Sequence, residues 1–571
     1  MYMRRSSMKA NYILVFILLL LNIIFRIPLT SHGRDTTDSA FIWSLANSIS
    51  ITGVIKWALH PLSFFGLYPL SYPSGSPIVL SFTSQVTGVS IENTILIYGF
   101  ILGILGMLGS YIMALKIKNH YLFAFFTSFS FSTAPIFIEL TSWSASTRNL
   151  FLALFPLFLW AVFWFNKKRT YLNKPLLLVI IFWLTLMAAH RISFLLTLVL
   201  ISFTLTKIVW SIKDETRILY YTNKLSEKSR FLFLILLFLL AFTLQFSGIG
   251  FYRGIWDDYQ SGALSQGRSL FSLLLNLSTN YIGQLGILIP IGLIGFFTLL
   301  RKNKKGFNDS FTICLLMLSA SILALGIYVA PFLLPIISLL IASGACGILN
   351  FLHSDLTNQS QAARCLNYIS LLNKKILITL LFICFLASIS FSGYMMERHL
   401  NAPLGDTGDN TYMTREPNVG SFLKEQGTRT FLSNDDLISK RIYASTGVPN
   451  LDVGINALIN SWIQEKELEV QYLSLKEMNI NSDYLFKLKN PIQINNDFSW
   501  VYSHEIQDDT SKQILNKYGV DSIVINNKIL DEMVGTDFIT YNSIFAKSVA
   551  SSGSRIYDNN RESIYRLRQM W

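Results

Sequence analysis

Long apolar runs recur along the first 394 residues, at about 11–29, 91–115, 121–138, 149–165, 175–189, 192–210, 231–250, 279–299, 311–327, 329–351 and 376–394. A run of roughly 20 such residues, as a helix, matches the hydrocarbon thickness of a bilayer, so the pattern predicts about eleven transmembrane helices. The polar punctuation between them is mostly basic: KIKNH at 116, NKKRTYLNK at 166, the stretch from Lys213 to Arg230, RKNKK at 301 and NKK at 373. One alternating assignment with the N-terminus inside puts all of these on the cytoplasmic side, as short loops rich in Lys and Arg require. Two turns follow from it. A tight external hairpin falls at His190-Arg191, and the turn between 311 and 351 draws on Gly326, Pro331 and Pro335. Pro77 to Gly88 is too short to cross and reads as a re-entrant or interfacial helix in the first external loop, residues 30–90.

After residue 394 the pattern changes. PNVGSFLKEQG at 417 reads as a helix closed by glycine, TFLSND as a strand, DTSKQILNKYG at 509 as a second helix and VDSIVINN as a second strand; IYDNNRESIYRL reads as a closing hairpin. With eleven spans this tail, 395–571, emerges on the external side as an α/β domain, beyond a transmembrane domain at 1–394.

Composition agrees. The chain is 51% hydrophobic with a mean hydropathy of +0.43, too apolar for a soluble protein of this length. Of its 47 basic and 34 acidic residues, 18 and 23 lie after residue 394, so the front carries +18 and the tail −5. The cations sit in short clusters between apolar runs, which argues against nucleic-acid binding. Four cysteines, Cys314, Cys346, Cys365 and Cys384, show no ligand spacing and none lies in the tail. MYMRRSSMK ahead of the first run lacks a small-residue cleavage site, since IIFRIPLT is bulky, and predicts an uncleaved first span.

Candidate chemistry gathers where the topology puts charge outside: Asp35 and Asp38 in the loop TSHGRDTTDSAFIWSLANSISITG, then His60, Arg148, His190 and Arg191. Cations beside carboxylates at a membrane surface suit a phosphate leaving group opposite a hydroxyl that must lose its proton. Each has a plainer reading. Asp35 can N-cap a helix starting near Thr36, with Asp38 in its first turn; Arg148 can anchor a span by snorkelling; His190-Arg191 can be a satisfied turn; Asp257-Asp258 can be a solvated loop.

These residues resemble the polyprenyl-phosphate-dependent glycosyltransferases of the GT-C fold, a group that includes protein mannosyltransferases, aminoarabinose transferases and oligosaccharyltransferases. Many members carry an acidic pair in the first external loop, then an amphipathic helix and a glycine about fifteen residues on; Asp38, Ala46 and Gly53 match, with Ser39 in place of the second acid. GLYPLSYPSGSPIVLSFTSQVTG, from Gly66 to Gly88, is similar to a Tyr-Pro-x-Gly segment of archaeal and bacterial members, and KYGVDSIVI and IYDNNRESIYRL to their soluble-domain strands. The Trp-Trp-Asp-Tyr-Gly signature of oligosaccharyltransferases has its nearest string, IWDDYQSG at 255–262, between spans, which favours transfer of a single sugar over transfer of an oligosaccharide. The resemblance implies an integral membrane enzyme that moves a sugar from a polyprenyl-phosphate donor, of dolichyl type, to a lipid, glycan or protein acceptor outside, with inversion. Asp38 or Asp35 would be the base, and Arg148, His190, Arg191 and His60 would hold the donor phosphate. Some relatives use a divalent metal, but no ligand set is legible here. The competing reading is a transporter or flippase of lipid-linked sugars, opposed by the absence of repeated halves and the scarcity of charges inside the spans.

Overall fold

The computed structural model describes residues 2–28, 37–52, 57–59, 67–69, 75–166, 174–215, 270–302, 305–320, 322–323, 329–354, 364–401, 415–434, 436–448, 497, 500–527, 545–551, 553–559 and 562–567. In chain order its elements begin with α1 (Tyr2–Ile24), α2 (Thr37–Thr52), strands β1 (Trp57–Leu59) and β2 (Leu67–Pro69), α3 (Gly75–Thr87), α4 (Ile91–Ile117), α5 (Tyr121–Ser132), α6 (Pro135–Thr141), α7 (Thr147–Asn166), α8 (Lys174–Ala189) and α9 (Leu196–Glu215). There follow α10 (Leu270–Leu285), α11 (Ile289–Arg301), α12 (Phe307–Ala320), α13 (Val329–Ser354), α14 (Arg364–Asn401), α15 (Arg415–Glu425), β3 (Phe431–Ser433), α16 (Asp436–Thr446), α17 (Asp509–Lys517), β4 (Ser522–Asn526), β5 (Gly553–Asp558) and β6 (Glu562–Leu567).

Two compact units share these elements. The first comprises Met1–Ile27, Gly99–Ser142 and Arg148–Arg398; the second comprises Pro28–Tyr98, Trp143–Thr147 and His399–Trp571. Most of the first loop therefore belongs by packing with the C-terminal residues, although the sequence reading places it in the membrane domain.

Among the described residues, four helical segments are long and apolar enough to cross a bilayer: Ile91–Ile117, Thr147–Phe165, Val329–Asn350 and Ile376–Glu397, most of their length in the first unit. Asn11–Ile24, Lys174–Ala189, Leu196–Val209 and Phe307–Ala320 are shorter apolar helices, and the run at 231–250 lies outside the described residues. Two expected spans are broken. The run at 121–138 bends by 60° between α5 and α6, and that at 279–299 by 101° between Leu285 and Ile289. Pro135 opens α6 with Ala134 extended before it, as the residue preceding proline prefers. At the sharper bend Gly286 takes φ +99° and Pro290 opens α11; a left-handed glycine ends a helix as surely as proline starts one. Conversely, Pro331 and Pro335, expected to help turn the chain, lie in α13, Pro335 in its interior.

The core of this unit runs through Phe151, Phe155 and Phe158 of α7, with Phe155 stacked on Phe332 at 5.3 Å. Helices α11 and α13 approach so closely that a Cβ on Gly295 would lie 1.9 Å from the Leu340 carbonyl oxygen, and one on Gly344 would lie 2.1 Å from that of Ile291. Small residues permit such backbone proximity where packing, not water exclusion, holds helices together. Large apolar side chains such as Phe16, Leu177 and Phe382 stay exposed, the surface a lipid-facing helix presents. At one end the basic segments converge: Lys116 stands 5.4 Å from the Trp164 ring, Lys207 stands 5.7 Å from that of Phe307, and Asn308 donates to the Ile117 carbonyl at 3.4 Å.

In the second unit a four-stranded sheet has the order β3-β4-β6-β5. Strand β3 pairs parallel with β4 (Leu432 opposite Ile523), and β6 pairs antiparallel with both β4 and β5 (Val524 opposite Ile564). Every residue of β4 is buried because both faces are covered: Ile523 and Ile525 pack with Leu515, Phe545 and Val549, while Val524 packs with Val419, Leu423 and Ile442. That is why Ile523, Val524 and Ile525 are consecutive apolar residues and do not alternate with polar ones. Gly427 and Gly519, both at φ +65°, follow α15 and α17 and close them in the left-handed conformation the sequence pattern anticipates. In the β5–β6 hairpin Asn559 accepts the Glu562 N–H at 2.7 Å.

Candidate active site

Helix α2 carries the acidic motif. It begins at Thr37, so Asp38 stands in its first turn, where the plainer, helix-capping reading puts it; Asp35 and His60 lie outside the described residues. The helix is not amphipathic. Ile42, Trp43, Ser44, Leu45 and Ala46 are consecutive and all buried, the mark of a helix enclosed by protein.

Three neighbours within the second unit enclose it. Next to Asp38, the buried Ser39 hydroxyl accepts the Ala145 N–H at 2.9 Å, which fastens the first turn to the segment Trp143–Thr147. That segment is itself held in an uncommon conformation, since Trp143 takes φ +50° and donates its indole N–H to the Glu92 carbonyl at 3.2 Å. A bulky residue in the left-handed region costs on the order of 1–3 kcal/mol, and such strain persists where surroundings impose it, often at functional sites. Helix α3 packs along α2, and Gln85 donates to the Ser50 carbonyl at 3.1 Å. From the C-terminal residues comes α16, whose last turn offers the Tyr443 and Ala444 carbonyls to the Asn47 amide at 3.0 and 3.1 Å. The Tyr443 carbonyl also accepts the Gly447 N–H at 2.9 Å, whereas that of Ala444 belongs to the last turn, whose carbonyls lack helical partners. The first loop and the tail are thus tied by hydrogen bonds, with α2 between them.

Arg148, His190 and Arg191 belong to the other unit. Arg148 is the second residue of α7 and is half-buried. His190, 3% exposed, ends α8; its Nδ1 accepts the Ile192 N–H at 2.9 Å and its carbonyl accepts the Ser193 N–H at 3.0 Å. An accepting Nδ1 leaves the ring proton on Nε2, so the imidazole both shapes the 3₁₀ turn Arg191–Leu195 and retains a donor. Arg191 lies in that turn, its side chain beyond the described set.

One residue escapes the sequence reading. Arg26, just past α1, is 1% exposed. Its Nη1 donates to the Asn22 side chain and carbonyl at 2.9 and 3.2 Å, and its Nε donates to Thr141 Oγ1 at 3.0 Å. The guanidinium lies 5.2 Å from the Phe137 ring centre, while Nη2 has no hydrogen-bond partner among the described residues. No carboxylate pairs with it among the described residues. A buried cation is costly unless compensated, which makes Arg26 a functional candidate. The available signal was an arginine inside an apolar run. Among the described residues no three His, Cys, Asp or Glu side chains cluster as metal ligands.

Against this geometry we compared known proteins. No protein-family model and no curated protein sequence matches the chain. Solved structures do. The oligosaccharyltransferase of Archaeoglobus fulgidus in its apo form aligns with 98% of this chain and 74% of its own, with a TM-score of 0.56 at 10% identity. The archaeal oligosaccharyltransferase AglB from the same organism, in complex with an inhibitory peptide and a dolichol-phosphate, aligns with 99% and 75%, with a TM-score of 0.53 at 11% identity. A variant of the arabinofuranosyltransferase AftD from mycobacteria gives a TM-score of 0.50 at 12% identity over 98% of this chain, which spans 41% of that larger protein. The chain has the GT-C fold. At these identities the GT-C likeness speaks for architecture and not for substrate.

Proposed function

We propose that this GT-C protein is an inverting glycosyltransferase that moves a sugar from a polyprenyl-phosphate donor to an acceptor on the external membrane face. The observation that carries the reading is the fastening of the α2 first turn. Asp38 occupies that turn, and the Ser39–Ala145 hydrogen bond with the strained Trp143 behind it fixes where the turn sits. An acidic residue in a turn held this way is a candidate to take the acceptor proton as general base. In the proposed step Asp38 takes the acceptor hydroxyl proton, the acceptor oxygen bonds to the anomeric carbon, and the carbon–oxygen bond to the lipid phosphate breaks with its electron pair on the phosphate. Arg148, His190, Arg191 and His60 are the groups assigned to hold that phosphate, and Arg26 joins them on the strength of its unpartnered Nη2. Asp35 is the alternative base.

The dolichol-phosphate complex of the archaeal structural neighbour supports a lipid-phosphate donor. The convergence of Lys116, Lys207 and the residues around Asn308 at one end supports a topology of about eleven spans with those loops and the N-terminus cytoplasmic, which sends the C-terminal α/β domain outside. Transfer of a single sugar remains favoured over oligosaccharide transfer by the displaced IWDDYQSG string.

The test is sugar transfer by membranes containing wild type or Asp38→Asn, with a panel of radiolabelled polyprenyl-phosphate sugars. Loss of label transfer at equal abundance, by a factor of at least 10², is expected. Equal transfer by both proteins removes Asp38 as base and moves the role to Asp35. No transfer with any donor, together with wild-type movement of lipid-linked sugar across liposomes, would establish the flippase instead.

A further inference from the structure

Where the helical unit gathers its basic segments it also forms an open-mouthed cavity of about 940 Å³, within the roughly 300–1,000 Å³ of ligand pockets. Lys118 lines it from the end of α4, Arg301 and Lys302 from the end of α11, and Asp309 from the start of α12, while Leu339 and Leu340 of α13 supply an apolar wall. Three cations face one carboxylate, leaving a charge of +2.

The single acid is already engaged. Asp309 accepts from Lys302 Nζ at 2.5 Å and from the Gly306 N–H at 2.8 Å. Lys305 ties the loop by donating to the Leu300 and Lys302 carbonyls at 2.9 and 2.8 Å. Lys118 stands 5.6 Å from the Phe123 ring and has no carboxylate partner among the described residues, and Arg301 has neither an ion-pair nor a hydrogen-bond partner among them. A free guanidinium fork beside a second cation matches the oxygens of a phosphate group. The leucine wall would add nothing for a free inorganic anion, but it accommodates the apolar part of a lipid. Basic pockets between transmembrane helices at a membrane surface attract anionic headgroups, at about 1 kcal/mol per cation.

We propose that this cavity binds the phosphate headgroup of an anionic phospholipid, with Arg301 and Lys118 on the phosphate and Leu339 and Leu340 beside the chain. The site uses none of the residues assigned to sugar transfer and stands without that assignment.

The experiment is native mass spectrometry of the purified, delipidated full chain in detergent, titrated with short-chain phosphatidylglycerol, with phosphatidylcholine of the same chain length, and with inorganic phosphate. Phosphatidylglycerol should bind saturably and in preference to both others. The double variant Lys118→Gln/Arg301→Gln should weaken it about thirtyfold, whereas Lys118→Arg/Arg301→Lys should retain it. Thermal unfolding without lipid checks the fold; if the double variant does not fold, Arg301→Gln alone, at an exposed and partnerless position, should lose about fivefold. Equal binding of phosphatidylcholine would make the pocket merely apolar, phosphate binding as tightly as the lipid would make it a free-anion site, and unchanged binding by the glutamine variants would place the lipid elsewhere; each overturns the proposal.

Discussion

Gly103 makes room for Arg26: a Cβ added to Gly103 would lie 2.0 Å from the arginine Nε and 2.6 Å from its Cδ. The clash falls first on the guanidinium, Cζ at 2.5 Å included, which is already fixed by Asn22 and Thr141. Gly103→Ala should therefore cost about 1–3 kcal/mol, the range for overpacking a filled interior. A lower midpoint of thermal unfolding in detergent checks this. The double variant Gly103→Ala/Arg26→Ala should recover part of the loss, since the two changes relieve one another.

Arg26 itself separates a structural from a functional cation. Replacing a buried ionic group with an apolar one of similar volume is often neutral or stabilising, whereas a group that meets the donor cannot be replaced without loss. Arg26→Met should keep the protein within about 1 kcal/mol of wild type in unfolding while raising KM for the lipid-phosphate sugar at least tenfold. Unaltered KM would confine Arg26 to structure.

The apolar runs and basic segments were legible in the sequence because membrane insertion selects length and charge residue by residue. So were the helices closed by Gly427 and Gly519 and the strands around Leu432, Ile523 and Ile564, where local pattern and final structure agree. The bend at Gly286 was not: a glycine in an apolar run reads as a small helical residue until its φ is known. Pro335 erred the other way, a turn signal absorbed inside α13. Asp38 was singled out by its chemistry, but what fastens its turn was not legible, because Ser39 and Ala145 stand 106 residues apart and no local signal joins them. Arg26 was passed over as a flank of the first span, although a charge in such a run is itself the signal.

Asn47 gives a test of how the tail supports the first loop. Its amide donates to two carbonyls at the C-terminal end of α16, where the helix dipole is negative. Asn47→Ala loses those bonds, at about 0.5–1.5 kcal/mol each. Asn47→Asp should be worse than alanine, because a carboxylate both lacks donors and meets the negative helix end. The order wild type, alanine, aspartate should hold in unfolding midpoint and in sugar transfer alike.

At alkaline pH the C-terminal residues should weaken through one cluster. Asp497 accepts from Lys517 Nζ and from the Tyr518 hydroxyl, both at 2.8 Å. The hydrogen bond to Asp497 holds the Lys517 pKa above its usual 10.5. Burial, then the bond to Asp497, raises that of Tyr518 above 10.0. In both cases the folded state keeps its proton longer than the unfolded chain, so the folded state binds more protons above about pH 10 and stability falls as pH rises through that range. Below it the contribution is complete. Lys517 is too exposed for its shift to carry much energy, so the main loss should come from Tyr518. Chemical unfolding of the full chain, followed by far-UV circular dichroism between pH 8 and about 11, should show wild type losing stability more steeply than Asp497→Asn; parallel curves would exclude the cluster as the cause.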